Sequence, residues 1–255
     1  MAVKLSDFIA AMDNFAPRET ALSFDNVGLL IGTERKEISR VLVALDCTLD
    51  VAREAAQKDC DLVLTHHPLL FNAVKRILPD DAVTAPVFCL IRNDIGLFAA
   101  HTNLDAAKSG VNAELCRLLG IHNPMPVGEE GIMRIGKLAE PIMLEDYIGF
   151  AEKVLNTKMH FTGRNRPVQT VAVMGGAGGG DYRLAAEAGA ELYITGECKH
   201  NQAIEASHLD LSIAFGGHYE TEAVILKPLV KYLQTNTDGV QYIMAETDVP
   251  VFRMV

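Results

Sequence analysis

Short apolar runs alternate along this chain with stretches whose apolar positions fall three or four residues apart. Runs of the first kind read as buried β-strands and stretches of the second as amphipathic helices. Leu5, Phe8, Ile9, Met12 and Phe15 have helical spacing, and Pro17 follows them, which predicts a first helix. Phe24 to Leu30 is a turn-like start that runs into apolar residues. Val41 to Leu45, Leu62 to Thr65 and Ile95 to Ala100 read as strands. Helices are expected from Thr48, a residue suited to capping, to about Lys58, then over Ala82 to Arg92 and Gly110 to Leu119, with Gly120 placed to end the last. Residues 123–131 hold two prolines, two glycines and two glutamates and read as a linker. Beyond it, the pattern predicts helices over Leu144–Leu155, Tyr182–Ala188, Ala203–Ser207 and His218 to about Gln234, with Pro228 kinking or dividing the last. Strands are expected at Thr170–Met174, Leu192–Thr195, Leu211–Phe215 and from Val240 onward.

Alternating strands and helices indicate α/β architecture with mostly parallel strands. An internal repeat reinforces this. Val41-Leu42-Val43 corresponds to Val171-Ala172-Val173, an offset of 171 − 41 = 130. At the same offset Arg53-Glu54-Ala55-Ala56 meets Arg183-Leu184-Ala185-Ala186, and Asp61-Leu62-Val63-Leu64-Thr65 meets Glu191-Leu192-Tyr193-Ile194-Thr195. Thr65-His66-His67 is thereby matched by Thr195-Gly196-Glu197. The expected fold is two similar, interlinked α/β domains related by this repeat, residues 1–125 and 126–255.

The strand Leu62–Thr65 runs into His66-His67-Pro68, and open α/β sheets place ligands at the carboxyl ends of their strands. Pro68 biases His67 toward an extended backbone. In an extended chain adjacent side chains diverge, so the pair fits two neighbouring metals, or one metal and a supporting role, better than one ion. A polar loop that happens to hold two histidines is the bland alternative. Two further strand ends carry a histidine with an acid four residues on: His101 with Asp105, and His218 with Glu222. On a helix such pairs share a face, although isolated pairs of this kind also occur on solvated faces, and Asp105 alone also suits a helix N-cap. Together His66, His67, Asp105, His218 and Glu222 can hold two divalent ions if one carboxylate bridges. Nitrogen and oxygen donors suit Zn, Mn, Fe, Co or Ni. His101, Glu197 and His200 are candidates for supporting roles or for lining the cleft. The glycine-rich stretch 175–180 reads as an anion-binding nest or a flexible turn. His122, His160 and His208 have no motif around them and read as surface residues.

Composition narrows the function. Length 255 allows one or two domains, and 49% hydrophobic with 22% charged residues is ordinary globular composition. A formal net charge of −10 argues against general nucleic-acid binding. Cys47, Cys60, Cys89, Cys116 and Cys198 show no C-x-x-C spacing, which suits free thiols in a reducing compartment. No uninterrupted apolar run is long enough to span a bilayer, and the first residues lack signal-peptide layout. The expectation is a cytoplasmic protein without a membrane partner.

Six ordered stretches also carry a resemblance. They are Asp25-Asn26-Val27-Gly28-Leu29-Leu30-Ile31-Gly32, Thr65-His66-His67-Pro68, His101-Thr102-Asn103-Leu104-Asp105, Gly175-Gly176-Ala177-Gly178, Thr195-Gly196-Glu197 and Gly217-His218-Tyr219-Glu220-Thr221-Glu222. Together they resemble the Nif-three-like family, which includes YbgI-like proteins and many chains labelled GTP cyclohydrolase type-two homologues. The resemblance implies two similar α/β domains, a dinuclear metal centre and a ring-shaped homohexamer. By motif it implies that His67 and Asp105 bind one metal, His66 and His218 the other, and that Glu222 bridges. One departure stands out: Gly131-Ile132-Met133-Arg134 replaces the family's usual Gly-x-Gly-Arg, which questions the usual backbone conformation at Met133. Two functions compete. One is a metal-dependent hydrolase acting on an anionic small molecule, a nucleotide or pterin-like compound. The other is a non-enzymatic metal carrier, regulator or interaction scaffold.

Overall fold

The computed structural model describes residues 2–252. They form two compact units, residues 2–104 with 226–249 and residues 105–225 with 250–252.

The first unit is built on a five-stranded sheet in the order Gln241–Met244, Arg40–Ala44, Leu62–Thr65, Gly96–Ala99, Gly28–Ile31. The first four strands are parallel and the last is antiparallel. Every residue of Leu62–Thr65 and Gly96–Ala99 is buried, because helices cover both faces; parallel strands therefore read as continuous apolar runs. Leu42, Val63 and Leu97 pack on Val51 and Ala55 of the helix Leu49–Gln57 and on Val87 and Leu90 of the helix Thr84–Arg92. Phe98, one residue on and so on the other face, meets Phe8 of the helix Leu5–Phe15 edge-on at 5.6 Å between ring centroids. Thr48 caps its helix as expected, its hydroxyl accepting from the Val51 amide.

The second unit carries a six-stranded sheet in the order His122–Pro126, Arg134–Met143, Pro167–Met174, Leu192–Thr195, Ser212–Phe215, His160–Phe161. Its three central neighbours, Pro167–Met174, Leu192–Thr195 and Ser212–Phe215, are parallel. The repeat is visible in strand register. Val41 pairs with Leu62 in one sheet and Val171 with Leu192 in the other, so both partners shift by the same 130 positions. Each sheet then adds a third parallel strand and an antiparallel edge strand beside it.

Two local expectations are corrected, and the departure at Met133 is accounted for. The stretch 123–131 is not a free linker: His122–Pro126 is an edge strand paired antiparallel with Arg134–Met143. Pro124 and Pro126 are tolerated there because an edge strand can spare amide donors. Met133 does not have a positive φ and is buried in the core with Tyr182 and Tyr193, so a side chain is accommodated where the family usually has glycine. The C-terminal helix breaks before Pro228, at the 3-10 turn Ala223–Ile225 that separates His218–Glu222 from Leu226–Asn236. Pro228 falls in the first turn of the last helix, where an amide donor has no intrahelical partner.

Residues 226–249 pack with the N-terminal sheet. Gln241–Met244 pairs with Arg40–Ala44 and covers an edge that would otherwise be open. Glu54 fastens this return. Its carboxylate, 5% exposed, accepts from the Glu246 amide (2.9 Å), the Thr247 amide (2.9 Å), the Thr247 hydroxyl (2.6 Å) and the Lys58 ammonium (2.7 Å). Burial alone would raise its pKa; the bonds from Glu246, Lys58 and Thr247 outweigh burial and lower it from 4.5 to about 2. A carboxyl whose folded pKa lies below its unfolded one stabilises fully above the unfolded value, and that stability is lost as pH falls through the folded one. The window here is 4.5 down to about 2, and a shift of this size corresponds to about 3 kcal/mol at neutral pH. Glu54→Gln is therefore expected to lower stability to urea by up to about 3 kcal/mol at pH 7, with the gap from the parent closing toward pH 2. A gap that persists unchanged in acid would assign the effect to packing instead of charge.

Burial pushes the Cys47, Cys60 and Cys116 thiols up to about 12, 11 and 12, so they are inert core residues. Among the described residues no helix is long and apolar enough to cross a membrane.

Candidate metal centre

In the first unit the carboxyl ends of three adjacent parallel strands converge. Arg40–Ala44 is followed by Asp46, Leu62–Thr65 by His66 and His67, and Gly96–Ala99 by His101. The strand stops at Thr65 and the histidine pair lies in a bend. The two rings therefore do not diverge as an extended backbone would make them; their centroids lie 4.9 Å apart. His101 joins them, 5.1 Å from His66 and 5.6 Å from His67. One ring nitrogen from each of the three lies within 4.8 Å of the others, a group that could hold a metal ion.

Each of these rings is tied through Nδ1. His66, fully buried, donates from Nδ1 to the Ala100 carbonyl at 2.8 Å. His67 donates to Asp46 Oδ1 at 2.9 Å, and His101 to Asp25 Oδ1 at 2.9 Å. With the proton held on Nδ1, a neutral imidazole carries its lone pair on Nε2, the form that ligates metals. Asp25 is itself anchored by the Thr102 amide (3.0 Å) and hydroxyl (2.5 Å). Burial works to raise the Asp25 pKa, but the bonds from His101 and Thr102 prevail and hold it well below the usual carboxylate range.

The second unit places its groups at the equivalent strand ends. The strand Ser212–Phe215 leads through Gly217 (φ 104°) into the short helix His218–Glu222. The four-residue spacing puts both side chains on one face, with His218 Nε2 3.0 Å from Glu222 Oε2. His218 Nδ1 donates to Glu197 Oε1 at 2.7 Å, so Glu197 holds the ring as Asp46 and Asp25 hold theirs. Asp105, 9% exposed, sits inside the helix Thr102–Ala106 and not at its N-cap. A carboxylate oxygen of Asp105 and one of Glu222, itself 4% exposed, lie within 4.8 Å of each other.

The glycine-rich stretch is neither a free turn nor an open nest. Buried Asn112 accepts from the Gly175 amide at 2.8 Å, and buried Thr221 accepts from the Gly176 amide at 3.0 Å. The first bond holds the turn against the helix Val111–Leu118 and the second against the helix His218–Glu222. A Cβ at Gly176, whose φ is +63°, would run into the Glu222 carboxylate. The glycine is there for close approach.

Among the other candidates, His200 is exposed at the start of the helix His200–His208 and belongs to none of the groups that could hold an ion. His122, His160 and His208 are exposed. Sequence reasoning missed Asp46, which no motif marks, and the supporting roles of Asp25, Asn112 and Thr221.

The donor chemistry fits divalent metal. All donors are nitrogen or oxygen, each imidazole has an acceptor on its second nitrogen, and two buried carboxylates close together repel unless positive charge stands with them. Duplicated α/β units with histidine and carboxylate groups at the ends of parallel strands define a class of proteins with candidate metal-holding groups. The chain belongs to the Duf34/NIF3 (NGG1p interacting factor 3) family, whose profile matches residues 3–250. It is 34% identical over 253 residues to a Clostridium perfringens protein named GTP cyclohydrolase 1 type 2 homolog, covering 96% of this chain and 97% of that protein. The fold matches a Bacillus cereus protein related to NIF3 with a TM-score of 0.90 at 23% identity, covering 99% of each chain. It also matches reduced HcgD from Methanocaldococcus jannaschii with a TM-score of 0.86 at 29% identity, covering 96% of this chain and 99% of that one.

Proposed function

We propose that this protein holds two divalent metal ions on His66, His67, Asp105, His218 and Glu222, with Glu222 shared between them. We further propose that it acts as a cytoplasmic, homohexameric hydrolase on a nucleotide or pterin-like anionic small molecule. One observation carries the reading: His66, His67, His101 and His218 each donate from Nδ1 to a carbonyl or carboxylate, which orients Nε2 for a metal. The name of the Clostridium perfringens relative supports the substrate class. When bound, Zn, Mn, Fe, Co or Ni would supply Lewis acidity and a lowered pKa for water. His101, held by Asp25, is suited to orient a substrate group or carry a proton at Nε2.

The test is elemental analysis of reconstituted protein, followed by turnover assays on GTP and pterins with each metal. Two ions per chain, and a formamide or dihydroneopterin product lost on chelation, are expected. At most one bound ion overturns the dinuclear site. No turnover by fully metallated protein, with transfer of its ions to an apo-enzyme, would make it a carrier instead. Light scattering checks the hexamer.

Glu197→Gln keeps an acceptor for His218 but removes its charge. Because Glu197 is exposed, the fold should survive while metal affinity falls about 10–100-fold, the usual cost of losing a ligand's orienting partner. Parental affinity in isothermal titration would show that the ring needs no charged partner.

A further inference from the structure

The chain from Leu69 to Val83 runs between the histidine pair and the helix Thr84–Arg92 without regular secondary structure. It is nonetheless held at both ends. The Asn26 side-chain amide donates to the Leu70 carbonyl at 2.7 Å. Buried Thr84 accepts from the Leu78 amide at 3.0 Å and donates to the Leu78 carbonyl at 3.1 Å. The loop borders a cavity of about 700 Å³, a size typical of small-molecule sites.

Its lining divides by chemistry. Phe71, Val74 and Leu78 form an apolar wall, 43%, 40% and 45% exposed. Large apolar side chains grouped at the surface mark a binding surface more often than chance exposure. Phe24 stands edge-on to Phe71 at 6.2 Å between centroids, and Phe71 stands edge-on to His101 at 6.3 Å. The wall thus adjoins the histidine cluster of the same unit. Lys75 and Arg76 also line the cavity. The one acid in the lining, Asp81, is exposed, but its Oδ1 caps the start of the next helix, accepting from the Val83 amide (3.0 Å) and the Thr84 amide (2.9 Å) and sharing the Thr84 hydroxyl (3.1 Å) with the Leu78 carbonyl. In a chain of net charge −10, the cavity lining carries two cations and one carboxylate, a net positive charge beside an apolar wall, and one oxygen of that carboxylate is occupied by the helix cap.

We propose that this cavity binds an anionic ligand with a flat aromatic body, of the nucleotide class. The ring lies on Phe71, Val74 and Leu78, and the anionic group lies on Lys75 and Arg76. The inference rests on the reading of the metal centre as acting on such molecules, and it adds the place where the non-reacting body of the substrate is held.

The test uses the protein stripped of metal by chelation, so that binding is read apart from chemistry. Isothermal titration with GTP, ATP and UTP is compared with guanosine, which lacks the anion, and tripolyphosphate, which lacks the ring. At least one nucleotide should bind, and guanosine and tripolyphosphate should each bind about tenfold or more weakly than GTP if GTP is that nucleotide. The double variant Lys75→Gln/Arg76→Gln and the single variant Phe71→Ala should each weaken nucleotide binding about tenfold, a factor worth about 1.4 kcal/mol. All three positions are exposed, so circular dichroism should show parental folding. If none of the three nucleotides binds, or if both variants bind as the parent does, the proposal is overturned. Binding that follows these variants, without turnover by metallated protein, would sink the hydrolase and leave this site standing. Turnover whose KM ignores both variants would do the reverse.

Discussion

Glu222→Gln protein should fold as the parent does and bind divalent metal about 100-fold or more weakly, with both ions affected together. Glu222 ends the short helix His218–Glu222 and is 4% exposed. One of its oxygens lies 3.0 Å from His218 Nε2, and one lies within 4.8 Å of an Asp105 oxygen. Two divalent ions bring four positive charges together, and a carboxylate shared between them screens their repulsion best. The amide of Gln keeps the shape but removes the charge and turns one acceptor into a donor. Gln is as good a helix former as Glu, so the helix should persist. Asp105→Asn should weaken mainly one ion. Two-step metal titration reads the difference, with circular dichroism as the folding control. Folded Glu222→Gln protein that keeps both ions at parental affinity would sink the bridging role, and the donor set would have to be redrawn.

Gly176→Ala should lower the melting temperature by roughly 6–12 °C, taking about 3 kcal/mol at roughly 2–4 °C per kcal/mol for a chain of this size. Its φ of +63° is left-handed, a conformation that costs a side-chain-bearing residue about 1–2 kcal/mol. The added Cβ would also strike the Glu222 carboxylate and come within 3.1 Å of His218 Nε2. The backbone cannot retreat easily. Its amide donates to Thr221 Oγ1 at 3.0 Å, and its carbonyl accepts from the Glu197 amide at 2.9 Å and the Thr195 hydroxyl at 3.3 Å. A buried carboxylate must then move, so metal affinity should fall with stability. Gly180→Ala is the control from the same stretch. Its φ is not positive, and an added Cβ meets only a Gln202 side-chain nitrogen at 3.7 Å, so it should melt close to the parent. If the two variants melt alike, close approach at Gly176 is not what the glycine serves.

The strands that periodicity located best are those buried on every side. Leu62–Thr65 and Leu192–Thr195 stand where their apolar runs placed them, and the helix Leu144–Leu155 begins and ends as its spacing predicts. The long strand Arg134–Met143 escaped notice because most of its residues are half-exposed or exposed. Such a strand leaves no continuous apolar run to read. The repeat was legible because it is a one-dimensional property, and the matching strand registers bear it out. The duplication even sets equivalent strand ends to different uses: Asp46, His66 and His67 in one half correspond, at the 130-residue offset, to Gly176, Gly196 and Glu197 in the other.

By itself the sequence determined the α/β class, the duplication and the family, and it nominated nitrogen and oxygen donors, because each is written in residue types and local spacing. The tertiary structure decided what those donors do with one another. Asp46 reaches His67 across 21 residues and Asp25 reaches His101 across 76. No periodicity records such partners; Asp46 and His67 meet because parallel strands align their carboxyl ends, and Asp25 and His101 meet because the amino end of the antiparallel strand Gly28–Ile31 lies beside the carboxyl end of Gly96–Ala99. The His66 and His67 rings come together, against the expectation for extended neighbours, because the strand stops at Thr65 and the chain bends. The C-terminal strand Gln241–Met244 joins the sheet of Arg40–Ala44 because an open edge there needs a partner. Local spacing sets which residues can form an element, while pairing, burial and charge across the whole chain set which elements meet.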